Sequence, residues 1–356
     1  EGVQAVPPTS THPSSTRSVA TSQIIEADCQ TSLEQRLPNR LWRAVGMEGL
    51  SVGSVLLTGC DGRLGLGLLK GLLEQPSPPR HIFAACLDPQ GKAVNEVALG
   101  FPNVMILPLA SCQGCGHQPV PKPSCPLADV TDPNSIKAAV RKVQEELGSA
   151  GLNLLINNTS TTRRSTLATE TAENMSLVYT TNTIGPLQTS QAFLPLLKKA
   201  AEAEGQHEIS CSRAAIINIS SILGSIEIAE AWEERQDICY RCSKVPPLRG
   251  WGRIWESPPL GFPPPLAMAL PDHDGKEGNL SSQAALNMLT KCLALEYGSS
   301  GILCVSVDPG HVTPPLEQGM GPVTLEESVQ GVLQLLAQLS ATSNGTFWDW
   351  RGQRLP

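Results

Sequence analysis

The stretch "SVLLTGCDGRLGLGLLKGLL", Ser54 to Leu73, decides how the rest of the chain is read. It opens on a short apolar run of strand character, Ser54 to Thr58. A glycine-rich turn follows, and leucines then recur at helical spacing. A strand that passes through glycines into a helix brings the amides of the helix N-terminus together at one point. Glycines there let a pyrophosphate reach the backbone, and the amides hold it. A glycine-rich turn with no ligand is the plainer alternative.

The same alternation runs on toward the C-terminus. "HIFAAC" (81–86), "NVMILPL" (103–109), "LNLLINN" (152–158), "RAAIINISS" (213–221) and "ILCVSVDPG" (302–310) read as strands. Between them, helical patterns cover 64–75, 132–148, roughly 171–199, 284–298 and 324–340. Continuous apolar strands alternating with amphipathic helices predict an α/β fold, a doubly wound parallel sheet in a single domain over 47–356. Ligands of such sheets bind at the carboxyl ends of the strands. Residues 1–46 are rich in Ser, Thr, Pro and Gln and are expected to form a disordered leader. Arg17, Arg36, Arg40 and Arg43 suggest a transit peptide, but Glu26, Asp28 and Glu34 weigh against one. Met47 looks like a natural start.

Composition excludes several classes. The net charge is −7, which argues against a nucleic-acid partner. The longest apolar runs are too short to span a membrane. Eleven cysteines, an odd number, include Cys86, Cys292 and Cys304 inside apolar runs. They read as free thiols in a reducing compartment, so the expected location is cytoplasmic.

Two segments break the rhythm and read as irregular insertions, about 110–128 and 245–283. The first, "ASCQGCGHQPVPKPSCPLA", offers Cys112, Cys115, His117 and Cys125 as zinc ligands. It lacks a second Cys-x-x-Cys, and no metal is expected. The second carries eight prolines. Splicing it out joins "YRCSK" to "AALNMLTKCLALEYG" in one amphipathic helix. The segment starts with Val, whose codons begin GT, and ends with Gln, one codon of which is CAG. Those letters bound a typical intron, so 245–283 reads as translated intron. A mature message encoding all of 245–283 refutes that reading.

The motifs resemble those of the short-chain dehydrogenases/reductases, a Rossmann-type family. Thr58, Gly59 and Gly65 match its glycine loop, although Gly62 and Arg63 stand as if swapped. "DVTD" (129–132) resembles the adenine-side motif, "INNTS" (156–160) the Asn-Asn-Ala-Gly strand end, and "NTIGP" (182–186) the active-site Asn helix. "NISSILGS" (218–225) resembles the Ser strand, "YRCSK" (240–244) the Tyr-x-x-x-Lys signature, and "DPG" (308–310) the Pro-Gly turn. The C-terminal half is similar to the sniffer-like or C-factor-like carbonyl reductases.

The resemblance implies NADP-dependent reduction of a small carbonyl compound. Tyr240 is the implied general acid, with its pKa lowered by Lys244 one helical turn away. Ser221 then holds the substrate oxygen, and Asn182 holds a water leading to solvent. The implied cofactor contacts are Thr58, Gly59, Arg63, Leu64, Gly65, Asp129, Asn157, Pro309 and Gly310. NADP is favoured over NAD on the subgroup resemblance. The end of the second strand, Cys86-Leu87, carries neither an acid for the ribose hydroxyls nor an arginine for a 2′-phosphate. A homodimer through two long helices is also implied. The rival reading is a catalytically impaired nucleotide-binding or scaffold protein of the same fold, with Lys244 stranded at a helix end.

Overall fold

The computed structural model describes residues 49–108, 133–203, 208–225, 236–243, 285–310 and 323–356. They all lie within one compact unit, Glu48–Pro356. The expected leader, the Cys/Pro-rich segment and the proline-rich segment lie outside the described residues. So do Asp129 and Lys244.

The first strand, β1 (Ser54–Thr58), leads into helix α1 (Arg63–Leu73). There follow β2 (His81–Cys86), α2 (Lys92–Gly100), β3 (Val104–Pro108), α3 (Pro133–Leu147) and β4 (Leu154–Asn157). Helix α4 (Ala172–Tyr179) passes through a π-helical turn, Thr180–Ile184, into α5 (Gly185–Ala201). Then come β5 (Ala215–Ile219), the short helix α6 (Ile238–Ser243), α7 (Ala285–Tyr297) and β6 (Leu303–Asp308). Helix α8 (Leu325–Gln338) and strands β7 (Phe347–Asp349) and β8 (Arg354–Leu355) complete the described chain.

Among the described residues the eight strands form one sheet in the order β3-β2-β1-β4-β5-β6-β7-β8. All neighbouring pairs are parallel except β7 and β8. The order reverses between β1 and β4, the place where such sheets open a ligand crevice. The expected parallel sheet is therefore present, with two further strands and helix α2 that periodicity did not predict. Helix α2 buries only Val94 and Val97, too little for a visible apolar face.

Side chains alternate across the sheet and build two cores. Val55 and Leu57 of β1 face α1 and α8, meeting Leu68, Leu72, Val329 and Leu333. Leu56 faces the opposite layer, with Val143, Phe193, Leu197 and Leu293. A chain of buried polar groups crosses this second layer close to the strand ends. Asn157 donates to the Asn218 side-chain oxygen (2.8 Å), and Asn218 donates to the Thr290 hydroxyl (2.7 Å). Ser306 donates to the same hydroxyl at 2.8 Å. Strands β4, β5 and β6 are thus tied to α7 through one connected network, in which each group meets a partner.

Candidate functional site

The turn between β1 and α1 is built by its glycines. Gly59 has φ +69°, a backbone conformation that favours glycine. At Gly65 an added Cβ would lie 2.0 Å from the Gly59 carbonyl oxygen and 2.8 Å from Asn158 Nδ2. The close pass of helix against turn therefore demands glycine at 65. The first intrahelical bond runs from the Leu66 amide to the Gly62 carbonyl (2.8 Å), so Arg63, Leu64 and Gly65 present amides with no carbonyl of their own helix. The turn is fastened to β4 by Thr58, whose hydroxyl accepts the amides of Asn158 (3.0 Å) and Thr159 (3.1 Å). Asn158 returns its side-chain amide to the Thr58 and Gly59 carbonyls at 3.0 and 3.2 Å.

Above this turn lies a cleft of about 400 Å³. One side is formed by Gly59, Asp61, Gly62, Arg63, Leu64 and Gly65, with Leu87 from the end of β2. The other side holds Asn158, Ser160, Ser220, Tyr240 and Pro309. The glycine loop and Tyr240 thus share one space at the carboxyl edge of the sheet.

Tyr240 is half-buried on α6, a helix of six residues. A helix that short is marginal alone. Here it is pinned at both ends. At its N-terminus the Ile238 amide donates to the Ser165 hydroxyl (3.1 Å), and the Cys239 amide donates to the Glu170 carboxylate (2.8 Å). Ser165 also donates to Glu170. At its C-terminus the Asn182 side chain donates to the Ser243 hydroxyl (3.1 Å), and Thr183 donates to the Ser243 carbonyl (2.6 Å). The chain enters α6 through Asp237, a buried residue with φ +40°, a costly conformation for a non-glycine residue.

Burial alone would push the Glu170 carboxyl up. Hydrogen bonds from Ser165, the Thr171 amide and Cys239 outweigh it and hold the carboxyl below the ordinary glutamate value. A lowered folded value means that the ionised form stabilises the fold. That contribution is complete above the unfolded value, about 4.3, and is lost as pH falls through the folded one. Glu170→Gln is therefore expected to melt below the wild type at neutral pH. The gap should close as pH falls below about 4. Thermal unfolding of both proteins across pH 3–8 checks this, and a gap that stays constant contradicts it.

The structure gathers some of the expected site residues and sets others apart. Gly59, Arg63, Leu64, Gly65, Tyr240 and Pro309 line the cleft, and Thr58 braces its floor. Arg63, in the swapped pair, opens α1 as an exposed residue at the cleft wall. Asn157 does not line the cleft. As the last residue of β4 it turns into the polar network beneath, and Asn158 lines the cleft instead. Gly310, with φ +79°, sits against Trp350. Ser221 accepts the Leu223 amide (3.2 Å) and caps the turn Ile222–Gly224. Its neighbour Ser220 lines the cleft and is 3% exposed, with a buried hydroxyl that meets no partner. Sequence reading gave no sign of Ser220, because two adjacent serines compete for one strand end. Asn182 is fully buried, and it also donates to the Thr161 carbonyl (2.9 Å) and accepts the Thr161 amide (2.8 Å).

The seven described cysteines are free. Burial raises the thiols of Cys86, Cys211 and Cys304 to about 12, so at neutral pH they stay protonated and unreactive. The zinc reading of 112–125 falls outside the described residues. Among the described residues no helix is long and apolar enough to cross a membrane.

Comparison with known proteins agrees with this geometry. A family model described as short chain dehydrogenase matches residues 121–245. The solved structure of NADPH-bound carbonyl reductase from chicken fatty liver is 39% identical, with a TM-score of 0.68. That match covers 87% of this chain and 96% of the chicken chain. Carbonyl reductase Sniffer of D. melanogaster is 28% identical with a TM-score of 0.65, over 85% of this chain and 99% of that one. Among curated proteins, short-chain dehydrogenase anuI of Penicillium roqueforti is 27% identical over 58% of this chain. Human retinol dehydrogenase 5 is 29% identical over 48% of it. These matches span 64% and 43% of those two relatives.

Proposed function

Because the chain belongs to the short chain dehydrogenases, we propose that it is an NADP-dependent oxidoreductase that reduces small carbonyl compounds, with Tyr240 as general acid. The observation that carries this reading is the shared cleft, in which the glycine loop and the Tyr240 phenol face one space. The residues present fit a dinucleotide. Gly65 leaves the room that a Cβ would fill, and the N-terminus of α1 offers amides to a pyrophosphate.

Thr58, Gly59, Arg63, Leu64 and Gly65 would cradle the phosphates, with Pro309 and Gly310 at the nicotinamide end. Asp129 is assigned to the adenine and Asn157 to holding β4 in place, with Asn158 taking its expected contact. When bound, NADPH supplies the hydride. The protein's own part is position and proton. Tyr240 donates its phenolic proton to the developing alkoxide, and Lys244 favours the resulting phenolate. Ser221 steadies the substrate oxygen, and Asn182, bonded to Ser243, sets the end of α6 from which Lys244 departs.

The likeness to the NADPH-bound chicken enzyme supports NADP. The free thiols support a cytoplasmic location, and we assign the domain to 47–356, with homodimerisation through the two long helices. One observation favours the rival reading of an impaired nucleotide-binding protein: the Ser221 hydroxyl is spent on its own turn. NADPH fluorescence titration, followed by turnover on a reactive quinone or aldehyde, separates the two. Binding with turnover supports the reductase. Binding without turnover supports the rival, and no binding overturns both.

A further inference from the structure

The adenosine end of the cleft holds a group that the sequence reading passed over. Asp61 follows the first two residues of the glycine loop, yet its carboxylate reaches across to the end of β2. Its Oδ2 accepts the Leu87 amide at 3.1 Å and the Asp88 amide at 3.3 Å. The neighbouring Cys60 amide donates to the Ala85 carbonyl (3.1 Å), which fixes the loop on the same strand end. Asp61, Arg63 and Leu87 all line the cleft.

A dinucleotide whose pyrophosphate lies on the N-terminus of α1 brings its adenosine ribose to the end of the second strand. An acid there accepts the ribose hydroxyls, and a cation there receives a 2′-phosphate. This chain has neither group on Cys86 or Leu87, and Asp61 fills the space from the loop. The two amides that a 2′-phosphate would otherwise engage already hold a carboxylate. The Asp88 carboxylate, which accepts the Gln90 amide (3.0 Å), adds a second negative charge nearby. Arg63, on the same loop, supplies the opposing attraction.

We propose that Asp61 sets the dinucleotide selectivity of this protein by weakening the hold on a 2′-phosphate, so that NADH is accepted beside NADPH. The proposal rests on the nucleotide-binding reading above. Asp61 is a selectivity residue here: it discriminates between two cofactors and takes no part in the proton transfer.

The test is equilibrium binding of NADPH and of NADH, each followed by fluorescence, to wild type and Asp61→Asn. Asparagine keeps an oxygen for the two amides and removes the charge. The expected result is that NADPH binds about tenfold tighter to the variant while NADH stays within about twofold. Raising the salt from about 0.05 to 0.5 M should shrink the difference between the proteins, because exposed charges are screened. The ratio of the two affinities serves as an internal control, since a loosened loop would weaken both dinucleotides together. If both bind but the ratio does not move, or moves toward NADH, the role of Asp61 is overturned and the nucleotide reading stands. If wild type binds neither, the nucleotide reading falls and this proposal with it.

Discussion

Tyr240→Phe is expected to lower turnover by about 10³-fold while leaving NADPH affinity within about twofold. The substitution removes one hydroxyl and keeps the ring. The ring packs as part of α6, whose ends are fixed by Ser165, Glu170, Asn182 and Thr183, so the cleft keeps its shape. What is lost is the proton donor at the wall opposite the glycine loop. An acid positioned for transfer contributes in the range of about 10²–10⁴, and the expected loss lies at its centre. Single-turnover kinetics alongside the binding titration check the result. A variant within tenfold of wild type would show that another group delivers the proton.

Gly65→Ala should act on the opposite wall with comparable force. The added Cβ would lie 2.0 Å from the Gly59 oxygen, a distance no rotamer can relieve because the obstacle is backbone. It would also press on Asn158 Nδ2, which holds the Thr58 and Gly59 carbonyls. Either α1 backs away from the sheet or the loop leaves β4. Both routes spoil the cradle of amides. The expected outcome is a loss of about 3 kcal/mol in stability and more than about a hundredfold weaker NADPH binding. Gly62→Ala is the contrasting control. Its Cβ would meet the Gly59 oxygen at 3.3 Å, a contact that a few tenths of an ångström relieve. Denaturant unfolding and titration of both variants check the pair. Equal effects would mean that the loop bends more freely than its packing suggests.

The contrast between these glycines also marks how far sequence reading reaches. The strands and the larger helices are visible because leucine, valine and isoleucine repeat with the period of the element they form. Leu68 and Leu72 of α1 are buried as their spacing requires. Local pattern does not show where a strand stops, and that decides which of two like residues faces the cleft. Asn157 is the last residue of β4 and turns inward, and Asn158 turns to the cleft. Ser220 and Ser221 repeat the ambiguity after β5.

The π-helical turn at Thr180–Ile184 is hidden for a related reason. One extra residue in a turn leaves the apolar pattern nearly intact, so 171–199 reads as one helix. Long-range polar contacts are the least legible of all. Nothing near Glu170 in sequence announces that it caps a helix beginning at Ile238. The reach of Asp61 to the end of β2 is equally silent, because it depends on the parallel register of β1 and β2.

The two-ended fastening of α6 has a consequence for variation in the chain. A rung nailed to both uprights keeps its height whatever is hung beyond it. The nails here are Glu170 and Ser165 on one side and the Asn182–Thr183 pair on the other, and all of them belong to segments upstream of the rung. Alternative transcripts, tags or deletions that enter the polypeptide after Ser243 therefore leave the placement of the aromatic ring untouched. They act on whatever comes after it, and the tolerance of this fold to edits at that joint follows from its fasteners.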